Sequence, residues 1–245
     1  MSVSKALLIG SLCLPAIVTG AAIAAPTNDN AISQINGEIG AEYNRTEYNG
    51  SSDRYDNYNG NGALNIPLGP WFGASLRAMA GQGEYTVTNS DFDYYDLSAL
   101  LMTRNPNLGM LALGGGRTTF DFTRESNEDY VQGIAAGYIG PLTLAATRTR
   151  TELDPSGRSN DWIADAVWYV TPNFLLDASA GFMAERDNYG LEFEHQIGHS
   201  GLSWGLGYGR DTNIDANSYN AMVAYRIAQP KSLIDRYRHD LVDAR

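Results

Sequence analysis

The most constraining feature of this sequence is a period-two alternation of apolar and polar residues. In segment 202–209, leucine, tryptophan, leucine and tyrosine alternate with serine and glycine, and segments 34–43 and 219–227 follow the same rule. A period of two places successive side chains on opposite faces of a β-strand, whereas a helix requires a period near 3.6. The alternation therefore predicts strands at both ends of the chain, each with one apolar face.

The first 24 residues carry the pattern of a secretory signal peptide. Lys5 is followed by an uncharged stretch, residues 6–25, which is broken by a proline and a glycine and ends in small residues. Ala22 and Ala24 fit an A-x-A cleavage site, and these features disfavour the alternative of a retained transmembrane anchor. Cleavage would remove Cys13, the single cysteine, so we expect an exported chain without disulfides.

Charge and hydropathy exclude several large classes of protein. The chain has 17 basic and 28 acidic residues, a net charge of -11 and no basic patch, which argues against nucleic-acid binding. A hydrophobic content of 43% with 11% aromatic residues excludes a disordered chain or a coiled coil. After the predicted signal peptide no segment approaches 18 apolar residues without a break, so a helical inner-membrane protein is excluded as well.

Turn residues divide the rest of the chain into regular intervals. Glycine, proline and asparagine mark tight turns about every thirty to thirty-five residues, at 69–70, 105–107, 140–141, 171–173 and 198–201. One longer polar stretch lies between successive tight turns, so each interval predicts one hairpin with a short turn at one end and a longer loop at the other. The twelve predicted strands are 34–46, 57–68, 72–86, 94–104, 109–123, 130–139, 142–153, 162–170, 174–185, 189–197, 202–210 and 218–227.

An even number of strands, up-and-down connections and aromatic-rich apolar faces are typical of transmembrane β-barrels. In these features residues 32–227 resemble the Gram-negative outer-membrane β-barrel proteins of the porin type. The resemblance implies an all-β, up-and-down antiparallel transmembrane barrel of twelve strands, with a signal peptide at 1–24, the barrel at 25–228 and a periplasmic tail at 229–245. It also implies location in the outer membrane of a Gram-negative bacterium and insertion by the outer-membrane assembly machinery.

The C-terminus departs from that family, because its members usually end on an aromatic residue of the last strand. Here eighteen residues follow Ile227. They include Pro230 and then Ser232-x-x-Asp235, a capping-box-like start for a short helix, which we expect in the periplasm, against the barrel mouth or the cell wall. A soluble periplasmic sandwich is the alternative fold, but glycine, serine and carboxylates alternating with aromatic residues suit a wet interior and a lipid-facing exterior.

Strand parity assigns a net acidic set of side chains to the barrel interior. The residues predicted to line the lumen are Glu38, Glu42, Arg77, Asp96, Arg104, Asp165, Asp177, Glu192, Glu194 and Arg226. Eight-stranded barrels are filled by side chains and much larger ones hold an aqueous channel, so twelve strands predict a narrow passage. We expect a porin-like channel for passive diffusion of small solutes, weakly selective for cations. The alternative is a closed, internally salt-bridged barrel with a structural or surface-interaction role.

Arginines collect at the rim that carries the longer predicted loops. The residues predicted to contact lipopolysaccharide are Arg45, Arg124, Arg148, Arg150, Arg186 and Arg210. A guanidinium group binds phosphate oxygens in a bidentate manner, which makes outer-membrane lipid a predicted partner. The alternative is that these arginines extend into solvent or pair with loop carboxylates.

Enzymatic chemistry finds little support in the sequence. The three histidines are His195, predicted on the lipid side of a strand, His199 in a turn and His239 in the tail. A hydrolase would need a serine and an acidic or amide group within hydrogen-bond reach of one of them, so a lipid-modifying enzyme is the least favoured function. No spacing of acidic loop residues matches a calcium-binding loop, and we predict neither a metal site nor a cofactor.

Overall fold

Twelve antiparallel strands close into one barrel, which confirms the predicted architecture. The structure, a computed structural model, describes residues 31–88, 90–121, 125–153, 157–183, 186–227 and 231–239. Each strand pairs with its neighbours along the chain, and β1 pairs with β12 to close the sheet. The strands are β1 Asn36–Tyr48, β2 Arg54–Pro67, β3 Phe72–Tyr85, β4 Ser90–Asn105, β5 Gly109–Asp121, β6 Glu125–Ile139, β7 Leu142–Leu153, β8 Gly157–Thr171, β9 Phe174–Met183, β10 Arg186–Gln196, β11 Leu202–Asp211 and β12 Ala216–Ile227.

One short helix, α1 Leu233–Tyr237, follows the barrel. Ser232 is its N-cap and accepts a hydrogen bond from the backbone N–H of Asp235, as the capping-box-like pattern predicts. No helix within the described residues is long and apolar enough to cross a membrane. The predicted signal peptide, residues 1–24, lies outside the described residues.

The predicted difference in loop length between the two ends is wrong, because connections at both ends are two to five residues long. The polar stretches predicted as loops extend strands instead, so β2 begins at Arg54 and β6 at Glu125. Backbone ladder hydrogen bonds do not depend on side-chain polarity, and polar side chains in these extensions pair across strands. Arg117, for example, donates to both carboxylate oxygens of Asp129, at 2.6 and 2.8 Å.

The two ends of the barrel are distinguished by the chain termini. We call the end that holds residues 31–35 and 231–239 the terminal end, and the other the distal end. Partner residues followed once around the barrel return to β1 about 14 residues further along, which corresponds to strands tilted by about 40° and a backbone diameter of about 23 Å. A barrel of this width is not filled by strand side chains alone.

Exposed aromatic side chains surround the barrel at two levels. Toward the distal end these are Tyr58, Tyr95, Trp162, Phe182, Tyr189, Tyr208 and Tyr219, and toward the terminal end Trp71, Phe72, Trp168, Trp204 and Tyr225. Such belts mark the interfaces of a lipid bilayer. Tyr130 and Tyr138 face inward instead, where Tyr130 donates to Asp96 at 3.2 Å.

Strand β5 keeps one parity along its whole length, through the glycine run at residues 114–116. Its register with β4 is continuous from Asn105↔Gly109 to Asp93↔Asp121. Phe120 therefore lies on the inner face, in a buried cluster with Tyr94, and Arg117 lies on the outer face. Aromatic side chains thus pack inside the barrel as well as on its outer surface.

Candidate functional site: a polar interior closed at one end

Residues 31–35 and 231–239 together form a plug across the terminal end, which we call the terminal cap. Lys231 Nζ donates to Ser33 Oγ at 2.9 Å, and the backbone N–H of Ser33 donates to the carbonyl of His239 at 3.1 Å. The cap therefore joins segments from the two ends of the described chain. It is not part of the twelve-strand ladder, which closes through the pairing of β1 with β12.

Three connections on different sides of the opening hold the cap. The contacts are Ala31 N to Pro70 O at 2.8 Å, Ile234 N to Pro172 O at 2.9 Å and Arg238 Nη2 to Gly140 O at 2.6 Å. Arg238 also lies over Tyr138, with its guanidinium carbon 4.9 Å from the ring centroid. The cap thus spans the opening and does not merely border it.

Two apolar clusters fix the cap to the inner wall. Ile32 packs with Leu100, Met102, Met110, Ala112, Ile134, Tyr138 and Ala145, while Leu233 and Tyr237 pack with Val167, Tyr169 and Leu175. Ile32 and Leu233 are fully buried, and burial of such a side chain stabilises by about 1.5–3 kcal/mol. Gly73 leaves the space for Ile32, because a Cβ atom there would lie 2.5 Å from Ile32 Cδ1.

A buried arginine connects the cap to the barrel. Arg226 Nε lies 2.6 Å from Glu38 Oε2, and its Nη2 lies 2.7 Å from Glu194 Oε1. Arg226 Nη1 also donates to Ser203 Oγ at 2.6 Å. Tyr237 of the cap donates to the second oxygen of Glu194 at 2.8 Å. These five side chains are at most 5% exposed, so two carboxylates and one guanidinium are held together away from water.

Four residues predicted to line the lumen lie in this closed layer. Glu38, Glu194 and Arg226 belong to the ion network. Arg104, 1% exposed, donates to the carbonyl of Ala31 at 3.4 Å. All four are on the inner side of their strands, but the cap covers them, so they do not border an open passage. Strand parity identifies a face and gives no information on what lies against it.

Between the cap and the distal end the interior is polar and acidic, and we call this space the chamber. Its inward-facing charged residues, among those whose side chains the structure describes, are Glu42, Arg77, Asp96, Glu128, Asp161, Asp165, Asp177, Glu192 and Asp211. This set contains eight carboxylates and one guanidinium group. Asp161, Asp165 and Glu192 are half-buried, which leaves them accessible to solvent within the barrel.

The sequence interpretation misses three of these carboxylates. Glu128, Asp161 and Asp211 fall in predicted loops, whereas the structure places them in β6, β8 and β11. The signal that would have found them is strand parity continued past the predicted strand ends. Asp161, for instance, shares the parity of Asp165 on the same strand.

The two walls of the chamber differ in bulk. On β9 to β11, Gly181, Gly190 and Gly207 pair with Asn188, Ser179 and Asn220 on adjacent strands. A Cβ atom at any of these glycines would collide with that polar side chain, which therefore lies along the wall and not across the lumen. The opposite wall is filled by the rings of Tyr55, Phe92, Tyr94 and Phe120. The β8 to β12 wall is thus the less bulky side of the chamber, and its Asp165 and Glu192 are half-buried.

Polar contacts hold the carboxylates of the chamber in place. Thr118 donates to Asp96 Oδ2 at 2.9 Å, and Asn220 donates to Glu192 Oε2 at 3.1 Å. Neutral donors of this kind stabilise a carboxylate without removing its negative charge. The chamber can therefore attract cations electrostatically over most of its depth.

On the outer surface, the arginines predicted to contact lipopolysaccharide are in different environments. Arg148 and Arg150 are exposed on β7. Arg45 instead lies 2.8 Å from Asp56. A paired guanidinium has less capacity for an external phosphate than an unpaired one, so these positions are not equivalent.

The other three arginines give less support to the predicted contact with lipopolysaccharide. Arg210 pairs with Asp215, whose pKa is lowered by its hydrogen bonds from Asn49 and Arg210. Arg186 begins β10 opposite Met183, and its position in the register has the parity of Glu192, on the inner face, so the prediction of an outward position is wrong. Arg124 lies outside the described residues.

The three histidines lie in different environments. His195 lies on the outer face of β10 beside Phe174 and Trp204, with ring centroids 6.2 and 6.3 Å away. His199 lies in the connection after β10, and His239 lies in the cap. Among the described residues, no group of three or more histidine, cysteine, aspartate or glutamate side chains is arranged to hold a metal ion.

Comparison with known proteins relates this geometry to solved barrels. No protein-family model and no curated protein matches the sequence. An outer-membrane channel from Pseudomonas putida F1 has a TM-score of 0.67 at 13% identity, over 83% of this chain and 100% of that one. The translocator domain of the autotransporter NalP from Neisseria meningitidis has a TM-score of 0.58 at 12% identity, over 91% of this chain and 96% of that one. The KdgM porin has a TM-score of 0.51 at 9% identity, over 76% of this chain and 98% of that one. The chain therefore has the fold of these solved outer-membrane barrels, closed here with twelve strands.

Proposed function

We propose that this protein is an outer-membrane channel for small solutes, that it prefers cations, and that the terminal cap controls its periplasmic opening. The observation that carries the proposal is the contrast between chamber and cap. The chamber has a polar, acidic and partly hydrated wall, whereas the cap consists of chain ends that lie outside the ladder. A barrel with only a structural role has no need for a hydrated acidic interior behind a separable plug.

The sign of the charge supports a preference for cations. Along the β8 to β12 wall, the less bulky side of the chamber, the charged side chains that the structure describes are all carboxylates. Arg77 is on the other side of the barrel, on β3. Charged side chains lining a pore set its ion selectivity, because a permeating ion passes within a few ångströms of them. A bias of this kind is weak, since water in the chamber screens the carboxylates.

Single-channel recording of the full-length protein in a planar bilayer, with a salt gradient, tests the proposal. We expect brief openings separated by long closed periods, with a reversal potential on the cation side. A preference for anions would contradict the acidic lumen as the selectivity element. Complete silence, both from the full chain and from the protein lacking its cap, would contradict a channel function.

Neutralising the accessible carboxylates should remove the selectivity. In Asp161→Asn/Asp165→Asn/Glu192→Gln we expect the cation-to-anion permeability ratio to fall to about 1, because the charge along the open wall is gone. The measurement is the reversal potential under the same salt gradient. Glu84→Gln, which removes one carboxylate from the outer face of β3, is the matched control and should leave the ratio unchanged. An equal effect in both variants would point to overall charge and not to the chamber.

A closed barrel with a structural role is the second candidate. The buried Arg226 network and the packing of Ile32 and Leu233 favour it, because both stabilise the closed terminal end. Single-channel recording distinguishes the two functions, since a barrel with a structural role conducts no ions even when the cap is removed.

A further inference from the structure

We infer that the outer face of β7 and β8 carries a binding site for the phosphate groups of lipopolysaccharide, formed by Arg148, Arg150 and Arg158. This surface, which we call the arginine patch, lies outside the chamber and is independent of conduction. The inference rests on the proposed function for the orientation of the barrel, in which the distal end faces the outer leaflet.

The register of β7 and β8 brings the arginines of the patch together. Arg148 pairs with Trp162, Arg150 with Asn160, and Arg158 with Glu152. Arg148 and Arg150 are two residues apart on one face of β7, and Arg158 lies on the adjacent strand two positions beyond Arg150, so the patch extends about 13 Å along two neighbouring strands. The side chains of Arg150 and Arg158 are 52% and 64% exposed, which leaves them accessible from the membrane side.

The arginine patch has more positive charge than its own carboxylate can neutralise. Glu152 is shared by Arg158 at 2.9 Å and Arg150 at 3.4 Å. Arg148 lies against the Trp162 ring, with its guanidinium carbon 5.3 Å from the centroid, and has no ion pair with a described residue. Three guanidiniums and one carboxylate leave a net charge of about +2, which an external anion can balance.

The other described arginines on the outer face are matched by carboxylates. Arg117 holds Asp129, the residue opposite Glu152, through two hydrogen bonds. Arg45 and Arg54 share Asp56, at 2.8 and 2.7 Å, and Glu47 lies directly across from Arg54. Arg210 pairs with Asp215. The β7–β8 face therefore differs from the rest of the rim in charge balance and not merely in arginine content.

The level of the arginine patch fits lipid phosphates. Trp162 belongs to the distal aromatic belt, and Arg148 is paired with it. An unpaired guanidinium on the lipid-facing surface is costly toward the bilayer centre and is accommodated near the headgroups. A bidentate guanidinium–phosphate contact stabilises it there, and the outer leaflet of the outer membrane presents the phosphates of lipopolysaccharide.

The test compares two triple variants that each lose three outer-face arginines. Arg148→Gln/Arg150→Gln/Arg158→Gln removes the patch, while Arg45→Gln/Arg117→Gln/Arg210→Gln removes arginines that have their own carboxylates. Both proteins are refolded, checked by heat-modifiable migration and titrated with purified bisphosphorylated lipid A in detergent. We expect the patch variant to bind lipid A at least threefold more weakly than wild type, and the control variant to bind it within twofold of wild type.

Several outcomes would overturn this inference. Equal lipid A binding by the patch variant and wild type would show that the patch is not the site. Equal losses in both triple variants would show a general effect of charge. Equal affinity of the wild type for phosphatidylglycerol and lipid A would assign the patch to phospholipid instead of lipopolysaccharide. Since none of these readings involves conductance, a failure here is distinguishable from a failure of the channel proposal.

Discussion

Deleting residues 229–245 should convert a channel that is mostly closed into one that conducts continuously. The deletion removes Leu233 and Tyr237, which pack at the terminal end against β8, β9 and Glu194 of β10. Burial of Leu233 alone is worth about 1.5–3 kcal/mol, which corresponds to about 10- to 150-fold in the ratio of closed to open states. We therefore expect the open probability to rise by at least about tenfold in a planar bilayer.

Two further proteins complete this experiment. A deletion of residues 240–245 alone leaves the described cap intact and should gate like the full chain. Leu233→Asp keeps the chain length but makes burial of the cap unfavourable, so it should behave like the larger deletion. If both cap variants fold and retain the closed time of the wild type, the cap is not the gate.

Replacing Arg226 by alanine should destabilise the barrel by about 3–5 kcal/mol, since removal of one partner leaves buried charge uncompensated. In this protein the loss exposes the mutual repulsion of Glu38 and Glu194 in a layer that is at most 5% exposed. The measurement is the free energy of unfolding, obtained from urea titration of the protein refolded in lipid vesicles. The variant should also open more often, because Glu194 anchors Tyr237 of the cap.

The matched control is Arg117→Ala, which breaks an exposed ion pair on the outer face. Its free energy of unfolding should change by about 1 kcal/mol or less. Arg226→Met/Glu38→Gln/Glu194→Gln removes all three charges together and should recover most of the stability lost in Arg226→Ala. A loss as small as that of Arg117→Ala would mean that water already solvates the network, in contradiction to its burial.

The alternation of residues predicts the strands well because the physical requirement is local. A lipid-facing position needs an apolar side chain whatever surrounds it, so Leu202, Trp204 and Leu206 identify β11 directly. At the rim of the barrel an apolar side chain is no longer required, so polar residues there can belong either to a strand or to a loop. For this reason the predicted start of β6 is five residues late, and Glu128 is assigned to a loop.

The terminal cap could not be predicted from sequence, because its contacts join residues about two hundred positions apart. The tail offers a local signal for a short helix at Ser232 and Asp235, and the structure contains that helix. The position of this helix in the barrel depends on the hydrogen bond from Tyr237 to Glu194 and on the packing of Leu233 with Leu175. No local sequence pattern encodes these contacts. The same is true of Arg104, whose inward face follows from parity but whose cover does not.

Aromatic residues were the least reliable guide to the two faces. Phe92, Tyr94 and Phe120 pack against one another inside the barrel. The belts on the outer surface contain the same types of residue. Parity separates the two sets only after the register of β4 and β5 is known. Hydrophobicity alone does not distinguish a packed half-lumen from a lipid-facing wall.

The contact between Ser33 and His239 joins the segment before β1 to the segment after β12. The same two strands pair to close the sheet. The wall of the barrel and the plug across its end are therefore completed by the same two ends of the described chain, so a change that separates β1 from β12 also pulls the cap apart.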